Sequence, residues 1–211
     1  MPQLIKTRHR RTAVVLSGLL LVAASCGVLM SPAHAQSARY ELDPEHTVVA
    51  FLVDHIGYAK ILGMFRAVQG SYRFDEAAVV LSQVRIEVDT ASVFSNSRSR
   101  DDHLKGPDFL NSGQFPKMVF TSNRAQSTGE RTFDIVGELE LLGKKQPLTL
   151  QATWNKSATS PIGSFGRKPY LMGVSARGSF KRSAFGMNYA VANGWVGDDI
   201  PLIIEFEAIR K

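Results

Sequence analysis

Three histidines are the residues with the most versatile chemistry in the larger part of this chain. His46 and His55 bracket the apolar stretch EHTVVAFLVDH, residues 45–55, and His103 lies two positions after Asp101. Histidines combined with carboxylates are common zinc ligands, and a histidine beside an acid is a common proton-transfer pair. The spacing of these residues decides whether either chemistry is available.

A zinc site shared by His46 and His55 conflicts with strand geometry. The two residues are nine positions apart, an odd number, so a regular strand directs them to opposite faces. They are also about 30 Å apart at about 3.3 Å per residue. We predict no bound metal, and a site of His103, Asp101 and one strand histidine is the alternative that the spacing leaves open.

Signatures of covalent or nucleotide-dependent catalysis are missing from the chain. It has no G-x-S-x-G elbow, no G-x-G-x-x-G loop and no P-loop. Asp54 and His55 are neighbours on a predicted strand, so their side chains point to opposite faces and do not form an acid–base pair. We therefore predict that the protein is not an enzyme.

The first 35 residues have the features of a secretory signal peptide. Basic residues precede an apolar segment at 13–30, and the small residues that end at Ala35 form an A-x-A cleavage signal. We predict cleavage after Ala35 and export to the periplasm, which leaves one domain over residues 36–211. An uncleaved membrane anchor is the alternative, as is lipidation of Cys26, the only cysteine.

Removal of residues 1–35 changes the charge of the chain. This segment holds four of the 25 Lys and Arg residues and no acids, so the remainder has 21 basic against 19 acidic side chains. Nucleic-acid binding needs a clustered basic face, and a nearly neutral domain gives no reason to predict a nucleic-acid partner.

A hydrophobic period of two dominates residues 36–211 and predicts strands. In VLSQVRIEVD, residues 80–89, Val84 and Ile86 alternate with polar residues, and residues 133–154 form a predicted hairpin that turns at 143–147. Further strands are predicted at 45–55, 63–74, 117–123, 172–182 and 201–209. About eight short strands are typical of an all-β antiparallel barrel or sandwich.

One segment, residues 97–116, lacks the period of two. Ser99 and Asp102 resemble a helix N-cap followed by an acid three residues later, and the Gly-Pro pair at 106–107 ends the helix. We predict a short helical excursion over residues 97–111.

Both faces of the first strand are largely apolar, so this strand lines an interior on one side. Phe51, Val53 and His55 share one face, and phenylalanines at other inward positions are accompanied by glycines on the same strands. Those glycines are Gly63, Gly137 and Gly178. An eight-stranded barrel can fill itself with side chains or enclose one ligand, and the pattern alone leaves both open.

Six pieces of the chain, in order over residues 38–209, resemble the YceI-like family of periplasmic polyisoprenoid-binding proteins. They are YELDPEHTVVAFLVDH, GMFRAVQGSYRFD, RDDHLKGPDFLNSGQFPKMVFTS, GELELLGKKQPLTL, KRSAFGMNY and IPLIIEFEA. The resemblance implies a lipocalin-like barrel whose lumen holds a long isoprenoid chain, such as a polyprenyl phosphate or an isoprenoid quinone.

The resemblance also implies which residues contact the lipid. His55 at the end of the inward face and Arg182 are the predicted head-group residues, and Arg182 is alternatively a partner of Asp101 that holds the helix to the barrel. The predicted lipid-binding residues are Phe51, Val53, Phe65, Val84, Ile86, Phe120, Leu150, Phe180, Ile204 and Phe206.

The leading hypothesis is a non-catalytic periplasmic protein that transports, stores or sequesters an isoprenoid lipid, without a cofactor. It allows a transient contact with the membrane or a membrane protein, and a homodimer. One alternative is an enzyme on a lipophilic substrate, with His55 and Arg182 as its polar groups. Another is a filled barrel that serves only as an interaction module.

Overall fold

The computed structural model describes residues 1–3, 37–163 and 168–211, and it shows an all-β protein with one short α-helix. Residues 4–36, which hold most of the predicted signal peptide, the cleavage site and Cys26, lie outside the described residues. The strands are β1 (Ala38–His55), β2 (Ala59–Phe65), β3 (Val68–Asp75), β4 (Val80–Asp89), β5 (Val93–Phe94), β6 (Lys117–Ser127), β7 (Thr132–Leu141), β8 (Lys144–Thr159), β9 (Tyr170–Lys181) and β10 (Asp199–Arg210).

Eight of these strands form a closed antiparallel barrel, as predicted. Neighbours follow the order β1, β3, β4, β6, β7, β8, β9 and β10, and β10 pairs with β1 to close the cylinder. The pairing of β1 with β10 extends from Tyr40, opposite Arg210, to Phe51, opposite Leu202. Closure leaves no free edge within these eight strands, and it directs alternate side chains of each strand inward.

The predicted strand at 63–74 is two strands in the structure. β2 pairs with the second half of β1, from Val49 to His55, whereas β3 pairs with its start. The chain breaks between them because the backbone amides of Arg66 and Ala67 turn to the Oγ of Ser92. β5 pairs with only the last two residues of β2.

The turn of the hairpin between β7 and β8 is shorter than predicted. Leu141 pairs with Lys144, so Leu142 and Gly143 alone connect the strands, and both have positive φ angles of 53° and 68°. This conformation matches the right-handed twist of a hairpin and favours glycine at the second position. The predicted turn at 143–147 was therefore wrong in position, because residues 144–147 belong to β8.

The predicted helical excursion contains helix α1, Arg98–Lys105, which packs against β5 and lines the same cavity as His55, the last residue of β1. Its N-cap is Ser97, not Ser99, and Gly106 ends it as predicted. Residues 106–115 follow as turns rather than as further helix. Over the described ranges, no helix has the length and apolarity needed to cross a membrane.

Candidate functional site

Two adjoining cavities occupy the barrel. An inner cavity of about 110 Å³ lies among the strands, and an outer cavity of about 560 Å³ lies towards α1. Met118, Phe180 and Leu202 line both, so the cavities meet at these side chains. We call the end of the barrel beside α1 the mouth, and the opposite end, where β1 begins, the closed end. The cavities contradict the alternative of a filled barrel.

The inner cavity has an almost wholly apolar lining. Its polar groups are the hydroxyls of Thr47 and Tyr72 and the indole N–H of Trp154, which donates to the Ser157 hydroxyl at 2.7 Å. The Thr47 hydroxyl donates to the carbonyl of Asp43 at 2.6 Å, and the Tyr72 hydroxyl donates to the sulfur of Met172 at 3.2 Å. This lining therefore offers shape and apolar contact rather than hydrogen bonds.

All ten predicted lipid-binding residues line at least one of the two cavities, and Phe180 lines both. The inner cavity is lined by Val84, Ile86, Phe120, Leu150, Phe180, Ile204 and Phe206. The outer cavity is lined by Phe51, Val53, Phe65 and Phe180. Their period-two positions place them inward, and their contact with a lipid stays a prediction.

Glycines let large aromatic rings lie against the barrel wall. Gly63 pairs with Phe51, and a Cβ at Gly63 would lie 2.3 Å from the Cζ of that ring. A Cβ at Gly137 would lie 2.5 Å from the Cζ of Phe120. Each ring therefore occupies the space above a neighbouring glycine, and this packing keeps part of the lumen open.

Tyrosines and one carboxylate hold the closed end together. Tyr40 stacks on Tyr72 with ring centroids 5.3 Å apart, and Glu76 accepts hydrogen bonds from Tyr40 at 2.5 Å and from Tyr170 at 2.8 Å. Burial, and then the bond to Glu76, raises the pKa of Tyr40, so its hydroxyl stays protonated and keeps donating.

Arg182, a predicted head-group residue, instead holds the loop that covers the mouth. It is 1% exposed and does not line either cavity. Its guanidinium donates to the carbonyls of Met187 (2.9 Å), Tyr189 (2.8 Å), Val196 (2.7 Å) and Gly197 (2.7 Å). These bonds fold the 187–197 loop over the end of the barrel and leave the guanidinium without access to a ligand in the cavity.

The predicted alternative for Arg182, a bond to Asp101, is also absent among the described residues. The Asp101 carboxylate instead accepts from the backbone and hydroxyl of Ser95, at 2.7 and 2.6 Å. Burial lowers the pKa of Arg182, and the charge of Asp198 opposes that effect. Four buried carbonyls are the partners that stabilise this cation.

The three histidines occupy separate places. His55 lines the outer cavity next to the 187–197 loop, where it forms a bridge to Val196, and its contact with a head group stays a prediction. His46 is exposed, and its Nδ1 lies 2.8 Å from Asp43 Oδ2, a contact that raises its pKa. His103 also lines the outer cavity, and no cluster of three metal-ligating side chains occurs in the described part of the chain.

Comparison with known proteins identifies the family. The YceI-like domain matches residues 40–208. The chain belongs to the YceI-like family. A UPF0312 protein of Azotobacter vinelandii is 34% identical over 199 residues, 93% of this chain and all of that protein. Protein YceI of Escherichia coli O157:H7 is 32% identical over 194 residues, 91% of this chain and 97% of the relative.

Solved structures share the YceI-like barrel. The YCEI protein of Campylobacter jejuni has a TM-score of 0.64 and 26% identity, covering 75% of this chain and 90% of that one. A polyisoprenoid binding domain from Saccharophagus degradans has a TM-score of 0.63 at 12% identity, covering 83% of this chain and all of its own. At that identity the likeness shows the fold alone.

Sequence reasoning missed part of the cavity wall of this YceI-like barrel. Tyr72 and Phe74 line the inner cavity from β3, and Trp154 and Met172 line it from β8 and β9. Tyr72 and Phe74 alternate with Arg73, and this period of two predicts that both face inward. Met172 lies eight residues before the predicted inward Phe180 on the same strand, so the period of two would have found it as well.

Proposed function

We propose that this protein is an exported, non-catalytic binding protein that holds a long isoprenoid lipid in its barrel, for transport, storage or sequestration. The observation that carries the proposal is the inner cavity, whose wall is apolar and whose few polar groups are already hydrogen bonded. Such a wall favours a hydrocarbon chain and gives no orientation to a polar substrate.

The energetics of a branched hydrocarbon suit this cavity. Each buried CH₂ group contributes about 0.8 kcal/mol, so several prenyl units offset the loss of translational and conformational freedom on binding. The rings of Phe51 and Phe120 lie over glycines and line a lumen that remains open. The Saccharophagus degradans domain that shares this fold is described as polyisoprenoid binding, and we extend that ligand class to this chain as part of the proposal.

The mouth supports a transient contact with a membrane during loading. Ile56, Tyr58 and Trp195 are 47%, 89% and 58% exposed, and a hydrogen bond from the Ile56 amide to the Trp195 carbonyl joins their two loops. Tyr and Trp favour the interface between lipid and water. In this proposal the signal peptide exports the protein to the periplasm, and the mouth meets the membrane surface there.

Mass spectrometry of an organic extract tests the proposal. Protein purified from its native host should release an isoprenoid lipid, and Phe180→Asp should abolish this cargo because Phe180 lies where the two cavities meet. Ser179→Asp is the matched control, since Ser179 is an exposed neighbour on the same strand.

A folded wild-type protein that yields no lipid and takes up no added prenyl lipid or quinone would refute the proposal. The enzymatic alternative predicts a different result, in which His55→Ala abolishes turnover of the bound lipid and leaves its binding intact.

A further inference from the structure

Arg100 is a cation in the lining of the mouth with unused hydrogen-bond donors. It is half-buried and lines the outer cavity. Its Nε donates to the Oγ of Ser95 at 2.8 Å, and its Nη2 donates to the carbonyl of Ser95. Among the residues that the structure describes, Nη1 donates no hydrogen bond and no carboxylate forms an ion pair with Arg100.

A buried network holds Arg100 in this position. Ser95 and Asp101 are both buried, and the Ser95 hydroxyl donates to Asp101 Oδ1 at 2.6 Å while it accepts from Arg100 Nε. The Ser95 amide donates to the same oxygen at 2.7 Å. Asp101 thus fixes Ser95 as an acceptor, Ser95 fixes one edge of the guanidinium, and the other edge remains available.

Arg182 and Arg98, two other arginines near this end, differ from Arg100 in access. Arg182 is occupied by four carbonyls and does not line a cavity. Arg98 precedes Arg100 on the same helix, but its side chain is 95% exposed and outside the cavity lining. A guanidinium in a partly desolvated site is costly unless an anion pairs with it. Arg100 is half-buried and has no carboxylate partner among the described residues, so an anionic ligand would stabilise it.

The outer cavity has further polar groups, from the start of α1 and from the end of β1. Ser97 and Ser99 line it, with their hydroxyls 3.3 Å apart, and both belong to the start of α1. Asp54 lines it as well, from β1, and its backbone carbonyl accepts from the Gly197 amide. The inner cavity has no charged side chain, so the polarity of the site lies at the mouth.

We propose that the mouth binds the phosphate of a prenyl phosphate and that Arg100 is its principal ligand, through the free edge of the guanidinium. The inference rests on the proposed function, because the barrel must hold the prenyl chain for its head to reach Arg100. Planar guanidinium donors match phosphate oxygens, and charge-assisted bonds of this kind are the strong ones. Arg100, rather than Arg182, then gives the site its preference for an anionic over a neutral isoprenoid.

Binding of two lipids with the same tail tests the proposal. The probes are geranylgeranyl monophosphate and geranylgeraniol, measured on delipidated wild-type protein and on Arg100→Gln, Arg100→Lys and Arg98→Gln. The wild type should prefer the phosphate, and Arg100→Gln should reduce affinity for the phosphate roughly 10- to 100-fold while leaving affinity for the alcohol unchanged. Arg100→Lys should lose less, and Arg98→Gln should behave as wild type.

The outcomes separate this inference from the proposed function. Binding of neither probe by wild type refutes the barrel as a prenyl site. Equal wild-type affinity for both probes, or equal losses for both in a folded Arg100→Gln variant, overturns the phosphate assignment alone. Inorganic phosphate that bound with the affinity of the lipid would instead count against the barrel as a prenyl site, because the tail would then contribute nothing.

Discussion

The two ends of this barrel are built from different chemistry. At the closed end, Tyr40 stacks on Tyr72, and Glu76 accepts hydrogen bonds from Tyr40 and Tyr170. The guanidinium of Arg210 lies 3.9 Å from the centre of the Tyr170 ring. At the mouth, α1 and the 187–197 loop cover the strands, and the cavity lining includes Arg100 and His55. The closed end satisfies its polar groups internally, whereas the mouth keeps some of them available.

This difference gives the cavity a direction. An amphiphile gains most when its hydrocarbon lies among apolar side chains and its polar head remains near water or charged partners. In the proposed function, the lipid would therefore enter tail first and stop with its head at the mouth. The following substitutions alter one end or the wall between them.

Arg182→Ala should have the largest effect, because it removes the hydrogen bonds that hold the 187–197 loop over the mouth. The substitution leaves four carbonyls without their donors, and we expect a loss of roughly 3 kcal/mol in the free energy of unfolding, measured by chemical denaturation. Arg177→Ala, on the same end of β9, removes an exposed ion pair with Glu205 and should cost about 1 kcal/mol or less. Equal losses of unfolding free energy in both variants would contradict the role of Arg182 in holding the loop.

Gly63→Ala should narrow the outer cavity without touching either end's polar groups. The new Cβ would meet the Phe51 ring, which must move, and overpacking of this kind costs about 1–3 kcal/mol. Reduced prenyl-lipid binding with unchanged preference between phosphate and alcohol is the expected result. Gly173→Ala on β9 is the control, since a Cβ there meets only a side-chain carbon of Asn155 at 4.0 Å.

Glu76→Ala should loosen the closed end alone. It removes the acceptor of two tyrosine hydroxyls, one of them on the fully buried Tyr40, and we expect a loss of about 1–2 kcal/mol in the free energy of unfolding. Hydrogen exchange should increase at the start of β1 and of β9. Faster exchange in the 187–197 loop instead would show that the two ends are not independent.

Glu87→Gln should have the smallest effect, and that effect should depend on pH. Hydrogen bonds from Lys117, Arg85 and Gln69 on the outer wall lower the pKa of Glu87 to about 2. A carboxylate with a depressed folded-state pKa contributes stability above its unfolded pKa, and this contribution is lost as pH falls through the folded value. The stability difference between wild type and Glu87→Gln should be full at pH 7, decline below about 4.3 and vanish near 2, as followed by denaturation at each pH.

Local periodicity predicted the barrel wall well and the mouth poorly. β4 has the predicted bounds, and the inward positions of Val84 and Phe206 follow from alternation within single strands. The break between β2 and β3 was missed because Ser92, 25 residues away from Ala67, supplies the hydroxyl that turns the backbone. Arg182 was placed at a head group because sequence shows a cation but not the carbonyls that surround it.

The amino-acid sequence by itself determined the fold class, the family and the inward face of the strands. These follow from hydrophobic alternation and from motifs in order, which are properties of neighbouring residues. Only the tertiary structure decided that the lumen is open, that Arg182 is occupied and that Arg100 has a free edge. Each of these depends on contacts between distant segments, such as Gly63 with Phe51 or Arg182 with Gly197, and burial and hydrogen bonding exist only once those segments meet.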